Sequence, residues 1–118
     1  MSELKLDIDK KKLNIKQIQK RLRFIEWLFQ FHFTNMYIWK TKHGYHVIVE
    51  SDTYIPTTLI PVIQMALGSD WQRECFNAYR VHNGIVNFNV LFSTKEKFIK
   101  KVELDKSRVK LRGEDKNE

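Results

Sequence analysis

Residues that interrupt regular structure are scarce here: the 118 residues include four glycines and two prolines, so the loops are expected to be short. Cys75 is the single cysteine, which excludes an internal disulfide and leaves no thiolate partner for a zinc site. Its ordinary place is a small buried hydrophobe. No apolar run approaches the roughly 18 residues of a membrane span. The opening MSELKLDIDKKK also lacks the apolar segment of a signal peptide. The expectation is a cytoplasmic protein (host cytoplasm, if viral) without membrane contact. No Gly-rich phosphate loop, Ser-His-Asp set or metal-ligand cluster is readable. No catalytic residue, metal or cofactor is therefore assigned.

What is present suits one globular core: 42% of residues are hydrophobic and 30% charged, which excludes a disordered chain. The length allows one domain, set at residues 1–106, with a charged tail over 107–118. The net charge is +7, a pointer to a polyanionic partner, and its distribution is uneven. Lys10, Lys11, Lys12, Lys16, Lys20, Arg21 and Arg23 crowd one segment. From Lys95 onward nine basic residues mix with six acidic ones. Between Phe24 and Thr94 only Lys40, Lys42, Arg73 and Arg80 are basic.

Glu3 to Asp9 alternates with period two and reads as a half-buried strand. Asn14, with Gln17 at the capping-box position, opens a helix carrying Ile15, Ile18, Leu22, Ile25 and Leu28 to about Phe31. Phe33–Thr41 and Tyr45–Glu50 read as strands of a hairpin turning at Lys42-His43-Gly44. Thr57 or Thr58 begins a very apolar helix through Leu67, with Pro61 in its first turn and Gly68 at its end. Residues 70–82 are ambiguous. Trp71, Cys75, Ala78 and Tyr79 fit a helix face, but His82-Asn83-Gly84 is a hairpin signal. The preferred reading is a helical turn near Asp70–Glu74, then a strand to Val81 paired with Ile85–Phe92. Ser93 and Glu96 form a capping box for a C-terminal helix with Phe98, Ile99 and Val102 inward. This order implies an α+β fold of the ferredoxin-like or RRM-like split βαβ type, with helices on one face of an antiparallel sheet.

Alternation then assigns faces. A two-residue turn pairs Trp39 with His46, Ile38 with Val47 and Tyr37 with Ile48. Leu4, Leu6, Ile8, Met36, Ile38, Val47 and Val49 fall under the helices. Asn35, Tyr37, Trp39, His46, Ile48 and Glu50 fall on the opposite face. The later hairpin buries Tyr79, Val81, Val86, Phe88, Val90 and Phe92, and turns Ala78, Arg80, Asn87 and Asn89 outward. An open face carrying Tyr37, Trp39, His46, Arg80, Asn87 and Asn89 suits unpaired bases. Rings stack on bases, while guanidinium and amide groups hold phosphates or base edges.

Lys42-His43-Gly44-Tyr45-His46-Val47-Ile48-Val49 resembles the RRM strand motif at Gly44, Tyr45 and Val47. It is also similar to the strand of archaeo-eukaryotic primases, in which a Gly-aromatic-His run sets a histidine on the open face, here His46. Asp70-x-x-Arg73, Arg80 and Asn89-Val90-Leu91-Phe92-x-x-Lys95 resemble a pattern in small replication-associated proteins of archaeal viruses and plasmids. The resemblance covers residues 37–95. Such primases carry paired acidic residues where this chain has Asn35, Tyr37, Asn87 and Asn89, leaving Asp7 and Glu50 as carboxylates on that face. Rolling-circle initiators share the core but use His-x-His, whereas His43 and His46 here are spaced differently.

The leading expectation is a non-enzymatic binder of single-stranded DNA or RNA in viral or plasmid replication or regulation. Its site would comprise Tyr37, Trp39, Lys42, His46, Arg73, Arg80, Asn87 and Asn89. Two alternatives stand beside it. One is a reduced primase- or nuclease-like enzyme using His46 with Asp7 or Glu50. The other is a homodimer that buries the open face or the apolar run Leu59–Leu67.

Overall fold

Period-two alternation builds the centre of the molecule. In the computed structural model, which describes residues 2–91 and 96–104, β1 (Ser2–Ile8), β2 (Phe33–Lys40) and β3 (Tyr45–Ser51) pair antiparallel. The register is the one a two-residue turn dictates: Trp39 faces His46, Ile38 faces Val47 and Tyr37 faces Ile48. Leu4, Leu6, Ile8, Met36, Ile38, Val47 and Val49 are accordingly buried. A register shift after Phe33 lets that ring share the core with Met36, because the bulged residue restores the face parity.

Helix α1 (Ile15–Phe29) supplies Ile18, Leu22 and Ile25 to this core. Each such side chain contributes about 1.5–3 kcal/mol by leaving water. The cap is as expected: the Asn14 side chain accepts from the Gln17 N–H at 3.0 Å. Helix α2 (Ile60–Ala66) starts later than Thr57 or Thr58 and has no side-chain cap. It closes at Gly68 with Gly68 N–H donating to Met65 O and Ser69 N–H donating to Gln64 O, both at 3.0 Å.

Downstream the structure departs from expectation twice. Residues 70–82 form no strand; they are a helix, α3 (Trp71–His82), capped by the Asp70 side chain at the Arg73 N–H. The Asn83-Gly84 pair that reads as a hairpin turn ends this helix instead. Gly84 has φ +72°, and Gly84 N–H and Ile85 N–H return to Val81 O and Arg80 O. A left-handed glycine serves either purpose. Ile85–Leu91 is irregular chain, not strand. Of the residues expected to be buried, Tyr79, Val86 and Val90 are exposed, Phe88 is buried and Val81 is partly buried against the core, while Phe92 lies outside the described residues.

The second departure is that Lys97–Glu103 is a strand, β4, paired with β2. Phe98 and Ile99 are exposed, and Val102 alone packs against the core. Ser93 of the expected capping box, and the 107–118 tail, lie outside the described residues. Among the described residues the outcome is α+β, a four-stranded antiparallel sheet in the order β1-β3-β2-β4 with three helices. The last strand lies beside β2 at the edge of the sheet.

The outer edge of β1 would leave Lys5 and Asp7 backbone groups unpaired. The α2–α3 corner fills them. Gln64 Oε1 accepts from Lys5 N–H at 2.8 Å, and Arg73 donates to Lys5 O at 2.8 Å. Ser69 Oγ accepts from Asp7 N–H at 2.9 Å, and Asp70 N–H donates to Asp7 O at 2.7 Å.

Candidate nucleic-acid interface

Three neighbouring rings stand on the sheet face opposite the core. Tyr37 and Trp39 lie two residues apart on β2, with centroids 6.3 Å apart. Phe98 meets Trp39 edge-on at 5.5 Å. The β2–β4 register makes this possible. Trp39 pairs with Phe98 and Ile38 with Lys100, so Ile99 is the bulged residue. The extra residue changes parity, and Phe98 and Lys101 both face the open side. The Lys101 ammonium lies 5.7 Å from the Tyr37 ring centre.

Beside the rings is a pocket of about 300 Å³ lined by Lys5, Trp39, His46, Ile48, Val90, Leu91 and Glu96. His46 forms its floor and is 3% exposed. Its Nδ1 contacts Glu96, and its Nε2 lies 3.6 Å from Asp7. Burial raises the Asp7 carboxyl above its ordinary value, outweighing the nearby His46 and Arg73. Tyr37 donates to Glu50 at 3.0 Å, and that bond, with slight desolvation, raises the phenol. Asn35 donates to the same carboxylate oxygen at 3.1 Å.

By alternation Glu3, Glu50, Asn35 and Glu103 lie together at one end of the open face, with Lys5 and Lys101 further along it, whereas Lys40 and Lys97 pair on the helix side. Lys42 is exposed in the β2–β3 turn, beyond Trp39 and Phe98. Among the described residues, no three His, Cys, Asp or Glu side chains gather as a metal site.

Of the expected site residues, Tyr37, Trp39 and His46 come together on this face and Lys42 borders it. The other four do not join them. Arg73 reaches from α3 to Lys5 O, Glu74, Asn89 Oδ1 and Val90 O. Arg80 donates to Asn77 Oδ1 at 3.3 Å and lies over the Phe76 ring. Asn89 bridges Gln64 and Arg73, and Asn87 is exposed in the turn beyond α3. The assignment of Arg80, Asn87 and Asn89 to the sheet rested on a hairpin that does not form, whereas Arg73 came from the Asp70-x-x-Arg73 resemblance. Phe98, Lys101 and Glu96 escaped notice because Phe98-Ile99-x-x-Val102 fits a helix face as well as a bulged strand. Phe92 and Lys95 of the resemblance lie outside the described residues.

The class so defined is an α+β protein with an aromatic open sheet face. In comparisons with known proteins, no family model, no curated protein and no solved structure matches the chain. No helix among the described residues is long and apolar enough to cross a membrane.

Proposed function

We propose that this protein binds single-stranded nucleic acid, without catalysis, on the β2–β4 half of the open sheet face. The observation that carries the reading is the Tyr37–Trp39–Phe98 row on that face. Bases stack on such rings whatever their sequence. Lys101 lies over the Tyr37 ring and Lys42 is exposed in the turn beyond Trp39, whereas Glu3 and Glu50 repel phosphate from the far end of β1 and β3. Lys42 and Lys101 are the cations placed to hold phosphates. The neighbouring pocket is at the small end of ligand-site sizes and admits one unstacked base between Trp39 and Lys5. We take the β1-β3-β2 platform as RRM-like with its last strand relocated. With the resemblance to replication-associated proteins of archaeal viruses and plasmids, we assign the binding to replication or its regulation.

A labelled-oligonucleotide titration tests this. Trp39→Ala and Phe98→Ala each remove one stacking surface and should weaken binding by about 1–3 kcal/mol, roughly tenfold or more. Replacing Lys10, Lys11 and Lys12 together should cost less. Equal affinity for the wild type, Trp39→Ala and Phe98→Ala would remove the sheet from consideration.

A further inference from the structure

Helix α3 is inside out. Its buried face is polar: Glu74 and Asn77 are fully buried. Glu74 accepts from Gln64 at 2.7 Å, Ser69 at 2.6 Å and Asn77 at 2.9 Å. That network serves the edge of β1 through Gln64, Ser69 and Arg73. Its outer face is apolar, with Trp71 62%, Phe76 62% and Tyr79 67% exposed. A solvated helix face is expected to be polar, and large apolar patches mark contacts.

We propose that α3 is the self-association surface of this protein, two copies packing α3 on α3 across a two-fold axis. The occupant follows from geometry and charge. Trp71, Cys75 and Tyr79 form one row at i, i+4, i+8, and Gln72 and Phe76 form the next; together they line a shallow apolar groove. Rows of this spacing fit the grooves between the same rows of another helix, so the face is complementary to itself, as a two-fold contact requires. Cys75, a small residue near the middle of α3, allows close approach where the helices cross. The groove has no charged lining residue. A chain of net charge +7 repels its copy elsewhere, and the guanidinium beside the groove, Arg80 over the Phe76 ring, is held by Asn77 Oδ1. Aromatic side chains bury roughly 150–250 Å² each when covered. With Trp71, Phe76 and Tyr79 about two-thirds exposed, a symmetric pair covers about 600–1,000 Å² of ring surface, at the small end of specific interfaces. The dimer is therefore concentration-dependent.

Sedimentation of the full chain over a wide concentration range should show monomer–dimer exchange. Phe76→Glu, a change at an exposed position, should raise the dissociation constant at least about tenfold with an unchanged circular-dichroism spectrum. A short bismaleimide should join two chains through Cys75 in the wild type and far less in Phe76→Glu. A monomer at every concentration overturns the proposal, whatever else α3 then binds. So does a dimer indifferent to Phe76→Glu and Tyr79→Glu but lost on Val62→Glu or Trp27→Glu, which would put the contact on α2 or α1. None of these outcomes depends on oligonucleotide binding.

Discussion

A Cβ on Gly44 would stand 2.0 Å from the Ile8 carbonyl oxygen, and that oxygen belongs to backbone held in the sheet. Gly44→Ala must therefore part β1 from the β2–β3 turn. Overpacking of this kind costs about 1–3 kcal/mol or more, and a lowered denaturation midpoint by urea titration would register it. Asp7 gives a pH signature. Its folded-state pKa is raised, chiefly by burial, so the ionised form is disfavoured in the fold. That penalty is absent below the unfolded value, grows as pH rises through the folded value, and is complete above the folded value. Asp7→Asn should accordingly gain melting temperature on the wild type between about pH 3 and pH 7. An advantage that shrinks with rising pH would mean that the His46 and Arg73 attractions outweigh burial. Arg80 carries a simpler expectation. Bound to Asn77 and lying over Phe76, it is away from the rings, and Arg80→Ala should leave oligonucleotide affinity unchanged.

At the scale of elements, α3 and β4 show where local pattern and tertiary need diverge. The apolar spacing of Trp71, Cys75 and Tyr79 is helical and visible in the sequence. It misleads because apolar faces ordinarily turn inward, whereas here the inner face must satisfy the hydrogen bonds of β1. Glu74 is the hinge of that arrangement. Glu74→Ala leaves Gln64, Ser69, Asn77 and Arg73 facing a vacated acceptor. Removing one member of a buried charged pair costs about 3–5 kcal/mol. Calorimetry should show a much lower transition temperature, and a loss as small as that of an exposed variant would deny the network its role. The strand β4 answers a similar need. Without it the outer edge of β2 stays unpaired, since no strand forms at 85–91. Pairing with β2 settles 97–103 as strand although their spacing also allows a helix. The lysines of that edge also discourage strand addition by another chain.

Across the whole molecule the excess positive charge is displaced from the aromatic row. Lys16, Lys20, Arg21 and Arg23 lie on α1, which packs on the core side of the sheet through Ile18, Leu22 and Ile25. On the proposed reading these groups would raise the local concentration of a polyanion without contacting its bases. Oligonucleotide affinity should fall linearly with the logarithm of salt concentration, each phosphate contact contributing about 0.7 to the slope for a single strand. Lys42→Ala with Lys101→Ala should flatten that slope by about 1–2. The Lys10–Lys12 triple variant should flatten it less. The reverse order would move the binding surface to the α1 side.

Local rules were enough for the first half of the chain. Alternation in β1, β2 and β3, the Asn14 cap and the two-residue turn determined the register, the buried set and the shared face of Tyr37, Trp39 and His46, because each depends on neighbours in sequence. Gly84 and the 97–103 stretch admit two local structures of similar merit, and sequence alone does not choose between them. Only the tertiary structure decided those, through two demands no local window contains: hydrogen bonds for the free edges of β1 and β2. Meeting the first turned α3 with its polar face inward and took Arg80 and Asn89 away from the sheet face. Meeting the second brought Phe98 and Lys101 onto it.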